Sequence, residues 1–479
     1  MPGFEATHLS ARRTTNEPDH VDQQDSVRLP NKVTGKKKAD AFQDALLGLG
    51  LEGKDVLFIA TMDSFPSFED VIELVRSLEY LKVFPPTASQ NGHQNGKEAR
   101  EESLLRVTSA AESKDVVAIN YAANLLDEES LRRLITQCLD ALRTGGTLLM
   151  REHLGGSTTG GDSGPHLHYR DVAQTCSLLN SVSSSSGNEG LQLMSAWAPE
   201  PIDGEEEVTW MYKKVPSSAV EKKLQEFLDT SQYSKKGILK YEQVFGHRYV
   251  STGGEHTTKE FCRLLDLQKG QKVLDVCCGI GGSAFHMAKE YGVHVHGVDL
   301  SSNMISIGLQ RRREGNLHGV DFEMCNVMTK DFEPNCYDVV YSRDAIMHME
   351  DRRKLFDILL KCLKPGGRLF VTDYCHGAKE HSQEFKDYVR QRGYNLLSVS
   401  DYGKLLEEVG FTNVTAEDRT KQFVDILYRE LADFEPLKGQ FVRDFSQEDY
   451  DEIINGWRIK TVRCGAGDQA WGMFLARKT

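Results

Sequence analysis

The stretch LRTGGTLLMREHL at residues 142–154 returns as LKPGGRLFVTDYC at 363–375. Each reads as the end of a helix, a Gly-Gly turn and the start of a buried strand. The surroundings repeat as well: an Asp-Val-Val strand, an amphipathic helix, the Gly-Gly turn, a strand, then a late pair of strands. Strands alternating with helices of this length predict βαβ units on a parallel sheet, buried on both faces. The repeated order therefore predicts two copies of one α/β fold. The length of 479 residues has room for both, since one domain takes on the order of 150 residues.

Residues 1–38 are polar and end in the basic run KVTGKKK, which predicts a disordered tail. A first domain is expected over 39–215. Its strands are DVLFIAT (55–61), DVVAINY (115–121), GTLLMRE (146–152), LQLMSAW (191–197) and EVTWMYK (207–213). FEDVIELVRSLEYL and ESLRRLITQCLDAL carry helical spacing. TASQNGHQNGKE, GSTTGGDSGP and SVSSSSGNEG read as loops. A second domain is expected over 219–479. It opens on one long helical stretch, AVEKKLQEFLDTSQYSKKGILKYEQVFG, and continues through KVLDVCC (272–278), HVHGVDL (294–300), VDFEMCN (320–326), YDVVYSR (337–343) and GRLFVTD (367–373).

A net charge of −13 argues against a general nucleic-acid surface. An anionic substrate would need a local basic pocket. No apolar run reaches the length of a membrane helix, and the N-terminus lacks a signal-peptide core. A cytoplasmic location is the expectation. Ten cysteines include no C-x-x-C pair, so neither a zinc site nor a disulfide framework is suggested, and no metal is expected.

DVCCGIGGSA (275–284) follows a strand and opens a helix. Gly279, Gly281 and Ala284 fit G-x-G-x-x-A, whose glycines let a ligand approach the backbone. Asp299 ends the next strand, placed to hold a ribose diol. By itself this fits either a nicotinamide dinucleotide or S-adenosylmethionine. Asp275, just before the loop, suits an ammonium and would repel a pyrophosphate. Asn326 ends the third strand, where its amide oxygen could meet an adenine amine. LKPGGRLFVTD with its late strand pair resembles the class I S-adenosylmethionine-dependent methyltransferases. The usual D-x-G-x-G is altered here, with Cys277 in place of the first glycine.

YSRDAIMHMED places Asp344 and His348 four apart, on one face of a helical turn. From about Phe227 onward the chain resembles the phosphoethanolamine (phosphobase) N-methyltransferases of plants, nematodes and protozoan parasites. SQYSKKGILKYEQVFGHRYVSTGG, YSRDAIMH, VTDYC, YVRQRGY and GWRIK carry the likeness over about 250 residues. The resemblance implies two Rossmann-like class I methyltransferase domains. It implies a catalytic dyad of Tyr233 and His348. Gln232, Val250, Ser251, Asp344, Tyr374, Arg392, Tyr394 and Lys460 would surround a small phosphobase. Asp275, Gly279, Gly281, Asp299, Leu300, Asn326, Val327 and Arg343 would hold S-adenosyl-L-methionine, released as S-adenosyl-L-homocysteine. His348 would be the base, since imidazole titrates near neutral pH. Arg392 and Lys460 would take the phosphate.

In the first copy, DVVAINYAANLL aligns with DVVYSRDAIMHM. Asp344 becomes Tyr121, His348 becomes Leu125 and Arg343 becomes Asn120. The glycine loop becomes IATMDSFPS, and Pro85 stands where Asp299 would. This half is expected to be degenerate and inactive. An active C-terminal half resembles the nematode type, associated with methylating phosphomonomethyl- and phosphodimethylethanolamine to phosphocholine for phosphatidylcholine synthesis. A separate enzyme would then take the first step. Another small-molecule methyltransferase, a dinucleotide oxidoreductase and a non-catalytic regulatory protein are the alternatives.

Overall fold

The computed structural model describes residues 6–9, 41–61, 75, 77–83, 107, 109–154, 167–201, 205–220 and 223–479. Its contacts divide the chain into two compact units. One holds residues 1–169, 178–193 and 207–220. The other holds 170–177, 194–206 and 221–479. The domains expected from the sequence are 39–215 and 219–479. Residues 170–177 and 194–206 are grouped with the second unit.

The first unit contains β1 (Ala6–Leu9), β2 (Asp55–Thr61), β3 (Ser77–Val83), β4 (Lys114–Asn120), β5 (Leu142–His153), β6 (Glu189–Ala198, up to residue 193) and β7 (Glu207–Pro216). Their order is β1-β3-β2-β4-β5-β7-β6. β2 runs parallel to β3 and β4, β4 parallel to β5, and β7 antiparallel to β5. Val56, Phe58, Val116, Ala118 and Leu149 bury one sheet face against Phe42 and Leu46 of the helix Ala41–Gly48.

Three expectations change in this unit. The helix expected over 68–81 ends as a strand, because β3 claims Ser77 onward; residues 68–74 lie outside the described ones. The stretch SLEYLKV has helical spacing of apolar groups, yet pairing with β2 satisfies its backbone on a buried sheet. The polar tail over 1–38 is described only at Ala6–Leu9, which pairs antiparallel with β3 and so covers an open strand edge. Leu142–Gly146 is not a helix end and turn but the first part of β5. The helix stops at Ala141, and the Gly-Gly pair sits in a register shift between Lys114↔Leu142 and Val116↔Thr147. Gly146 has no room for a side chain, since a Cβ there would meet Asp115 O at 3.0 Å.

The second unit contains β8 (Lys272–Val276), β9 (His294–Asp299), β10 (Val320–Met324), β11 (Tyr337–Arg343), β12 (Leu363–His376), β13 (Thr412–Asp418) and β14 (Gln469–Arg477). The order is β10-β9-β8-β11-β12-β14-β13, parallel except at β14. The chain direction reverses its crossover sense between β8 and β11. Ligands bind at such a switch point, beyond the carboxyl ends of the strands. β12 repeats the register shift of β5, between Tyr337↔Leu363 and Val339↔Arg368. Residues 196–198 pair antiparallel with β10 and complete this unit's sheet. Nearby, Glu206 forms an ion pair with Arg312 at 3.0 Å, each only 1 % exposed.

The long opening helix of the second half is broken. Lys223–Phe227 runs into a wide turn, Leu228–Gln232, and stops at Tyr233. Ser234 then caps a new helix, Lys235–Phe245, by accepting from Gly237 N. The break turns Tyr233 inward. Among the described residues no helix is long and apolar enough to cross a membrane.

Candidate active site

The loop between β8 and the helix Gly282–Tyr291 is built from left-handed residues. Cys277 has φ 57°, Gly279 56° and Gly281 87°. Cys277 thus adopts the conformation a first glycine of D-x-G-x-G would take, at a cost of order 1–2 kcal/mol for an L-residue. A Cβ on Gly279 would meet Val250 at 2.9 Å, and one on Gly282 would meet Arg248 O at 2.2 Å. These close approaches explain the glycines.

A cavity of about 520 Å³ opens at this loop. Asp275, Gly279, Asp299, Leu300, Asn326, Val327 and Arg343 line it. Asp275 is buried and its Oδ2 has no hydrogen-bond partner. Burial, with the charge of Asp299 adding to it, pushes the Asp275 carboxyl up to about 8. An orphaned carboxylate oxygen facing a cavity is what a bound ammonium would satisfy. Asp299 is held by Gly279 N at 3.0 Å and Ser301 N at 2.9 Å, and burial raises it to about 6. These donors leave it oriented for a diol. The residues therefore fit S-adenosylmethionine: Asp275 for the amino group, the glycine loop for the methionine chain, Asp299 for the ribose.

Two expected cofactor residues are differently engaged. The Asn326 amide oxygen accepts from Met328 N at 3.0 Å, which takes one of its two lone pairs. The Arg343 guanidinium is turned into the protein, donating to Thr252 O, Thr257 Oγ1 and Thr258 Oγ1 and stacking over Phe261. It supports the wall more than it offers a donor.

Tyr233 and His348 meet across the same cavity, with the tyrosine Oη 3.0 Å from Nε2. His348 ends a short 3₁₀ turn, Ile346–His348, rather than an α-helical turn. Asp344 precedes that turn at φ 51°. Both still line the cavity, but Asp344 is heavily committed. Thr252 N, Thr372 Oγ1 and Trp471 Nε1 all donate to it, at 3.1, 3.0 and 2.8 Å. Burial, with repulsion from Arg392, lowers His348 to about 4 instead of leaving it near neutrality. Burial holds the Tyr233 phenol well above its ordinary value. Both groups are therefore held neutral, and which of them donates follows the imidazole tautomer.

Val250 and Ser251 line the cavity; Gln232, Tyr374, Arg392, Tyr394 and Lys460 are not among its lining residues. The Tyr394 ring lies 5.2 Å from His348 and 6.4 Å from Tyr374. Lys460 Nζ lies over Trp457 at 4.1 Å and near Tyr374 at 5.7 Å. Gln232 Oε1 is buried without a partner. The sequence reading missed three neighbours. Tyr241 partners the Arg392 guanidinium. Trp457 donates to Glu430 at 2.7 Å, and Glu430 also accepts from Gly253 N at 2.7 Å. Burial lowers Lys460 and raises Glu430, while their mutual attraction opposes both shifts. The spacing of GWRIK and of YRELADF carries no hint of this pairing, which depends on how two helices cross.

In the first unit Tyr121 takes the place of Asp344, again left-handed, at φ 56°. Its ring stacks on His153 at 4.2 Å, Arg151 lies over it at 4.6 Å, and its hydroxyl donates to Glu207. Leu125 is buried. Thr61 is the last described residue of the stretch aligned with the glycine loop, and Pro85 lies outside the described residues.

Strand order, glycine loop and paired acids define a class I S-adenosylmethionine-dependent methyltransferase. A family model for a methyltransferase domain matches residues 267–410. Phosphoethanolamine N-methyltransferase 1 of Triticum aestivum is 43 % identical over 377 residues, 76 % of this chain and 75 % of that protein. Phosphoethanolamine N-methyltransferase 2 of Caenorhabditis elegans is 33 % identical over 409 residues, 83 % of this chain and 90 % of that one. The solved structure of Haemonchus contortus phosphoethanolamine N-methyltransferase 2, in complex with phosphomonomethylethanolamine and S-adenosylhomocysteine, superimposes with a TM-score of 0.73 at 28 % identity. It covers 92 % of this chain and 100 % of its own. The chain belongs to the phosphoethanolamine N-methyltransferases, and its two domains are both of the class I methyltransferase fold.

Proposed function

We propose that the second unit methylates phosphomonomethylethanolamine and phosphodimethylethanolamine to phosphocholine, feeding phosphatidylcholine synthesis. The observation that carries this is the adjacency of a neutral Tyr233–His348 pair to Arg392 and Lys460. The bound cofactor supplies an electrophilic methyl group. An amine must reach it as a free base, because an ammonium has no lone pair. His348, neutral at physiological pH, would take that proton through Tyr233: with Nε2 unprotonated, the phenol passes its own proton to Nε2 as its oxygen takes the amine's. Arg392 and Lys460 would hold the phosphate, with Tyr374 and Tyr394 hydroxyls at its rim. A phosphate dianion on Arg392 would also offset the repulsion that depresses His348, so the base would strengthen as substrate binds.

The first half, about 39–215, is proposed to be catalytically silent, with Tyr121 and its neighbours filling the place of the substrate amine. The first methylation would then fall to a separate enzyme, and the location would be cytoplasmic. Methyl transfer from labelled S-adenosylmethionine to phosphoethanolamine and to its mono- and dimethyl forms, run in parallel, tests the reading. Activity on the two methylated forms supports it. Turnover of phosphoethanolamine alone overturns the assignment of steps, and turnover of none overturns the substrate class.

A further inference from the structure

Three proposed substrate-side residues each have a chain neighbour in one buried ring of contacts. Met347, before His348, donates its N–H to Asp373 Oδ1 at 3.2 Å. Asp373, before Tyr374, also accepts from Tyr374 N at 3.1 Å. Met347 O accepts from Asn395 N at 2.7 Å, and Asn395 follows Tyr394. The ring closes through Arg352, which donates to Asn395 O and faces Asp373 Oδ2 at 3.9 Å.

None of these contacts reaches the cavity, whose lining includes Asp351 but neither Arg352 nor Asp373. Arg352 is 5 % exposed and Asp373 is fully buried. Its guanidinium is poorly repaid for that burial. Nε and Nη1 have no hydrogen-bond partner, and the plane lies over the Tyr402 ring at 5.1 Å. A well-packed apolar pair would often be at least as stable here. What the ion pair does instead is join the turn carrying His348, the strand end carrying Tyr374 and the loop carrying Tyr394.

We propose that Arg352 and Asp373 are positioning residues that close a buried clamp fixing His348, Tyr374 and Tyr394 relative to one another. This rests on the proposed phosphobase site. The clamp lies on the substrate side, because the cofactor's proposed residues other than Arg343 are on or just after β8, β9 and β10.

Arg352→Met, Asp373→Asn and the double variant separate positioning from stability, assayed at pH 8 beside the wild type. Three readouts are needed: melting temperature, S-adenosylhomocysteine affinity by calorimetry, and kcat and KM for phosphomonomethylethanolamine. Each single variant leaves a buried charge unpaired and should melt earlier. The double variant removes both charges and should regain melting temperature. Its kcat/KM should nonetheless stay down by about a hundredfold, the scale of a misplaced reacting group, with cofactor affinity unchanged. Recovery of kcat/KM together with melting temperature overturns the clamp. So does a loss of cofactor affinity in step with activity. A wild type inactive on every phosphobase overturns the site reading itself, and the clamp with it.

Discussion

The Tyr233 hydroxyl lies 3.0 Å from His348 Nε2, and the two rings meet edge-on at 6.0 Å between centroids. With the imidazole neutral, its tautomer sets which of the two donates. His348 sits well below its ordinary value, so in the free protein it gains its proton only as pH falls toward about 4. Following its ring protons by NMR should show no titration near 6.5, and a midpoint there would contradict the buried-base geometry. His348→Ala should cut kcat by about 10²–10⁴-fold, the usual worth of a positioned base, and leave cofactor affinity near normal.

Asp275 carries the clearest pH signature. Free, its carboxyl is raised to about 8, so it is largely protonated at pH 7. Beside the cofactor's ammonium it should ionise. Binding then releases a proton, and affinity should rise with pH up to about 8 and level off above it. Calorimetry in two buffers of different ionisation enthalpy measures the release directly. Asp275→Asn should weaken binding and abolish the pH dependence; a variant with the wild-type slope would place the titration elsewhere.

Lys460 is half-buried against Trp457 and Tyr374. Lys460→Ala removes a charge-assisted contact worth about 1.5–3 kcal/mol, so KM for the phosphobase should rise roughly 10–100-fold with kcat little changed. A drop confined to kcat would argue against a phosphate role.

A chain beginning at residue 219 would keep every proposed site residue yet lose Glu206, the buried partner of Arg312. Stranding one member of such a pair costs about 3–5 kcal/mol. It would also lose residues 196–198, which pair with β10. The short chain should melt earlier than one beginning at residue 167, and a difference of zero would show that those segments are dispensable.

Local chemistry made much of this legible. Apolar runs bounded by turn residues marked DVLFIAT and YDVVYSR, and the glycine loop with its two acids marked the cofactor end. What remained hidden depends on partners distant in sequence. SLEYLKV looks helical until β2 pairs with it. The helical run through SQYSKKG gives no warning of the break at Tyr233, because Ser234 can cap a helix only if the chain turns there. The imidazole of His348 looks ordinary in MHMED, and only its burial beside Arg392 moves it. Glu430 and Tyr241 were invisible because each earns its role from a crossing helix.

The segments 170–177 and 194–206 bear on how such a chain can change over generations. If the first half is silent, as proposed, Tyr121 and Leu125 carry no catalytic constraint. Ser195, which donates to Glu323, and Glu206, which pairs with Arg312, are not free in that way, since they complete the fold of the other unit. Deleting these segments would cost the second unit part of its sheet and a buried ion pair, whatever the first half does.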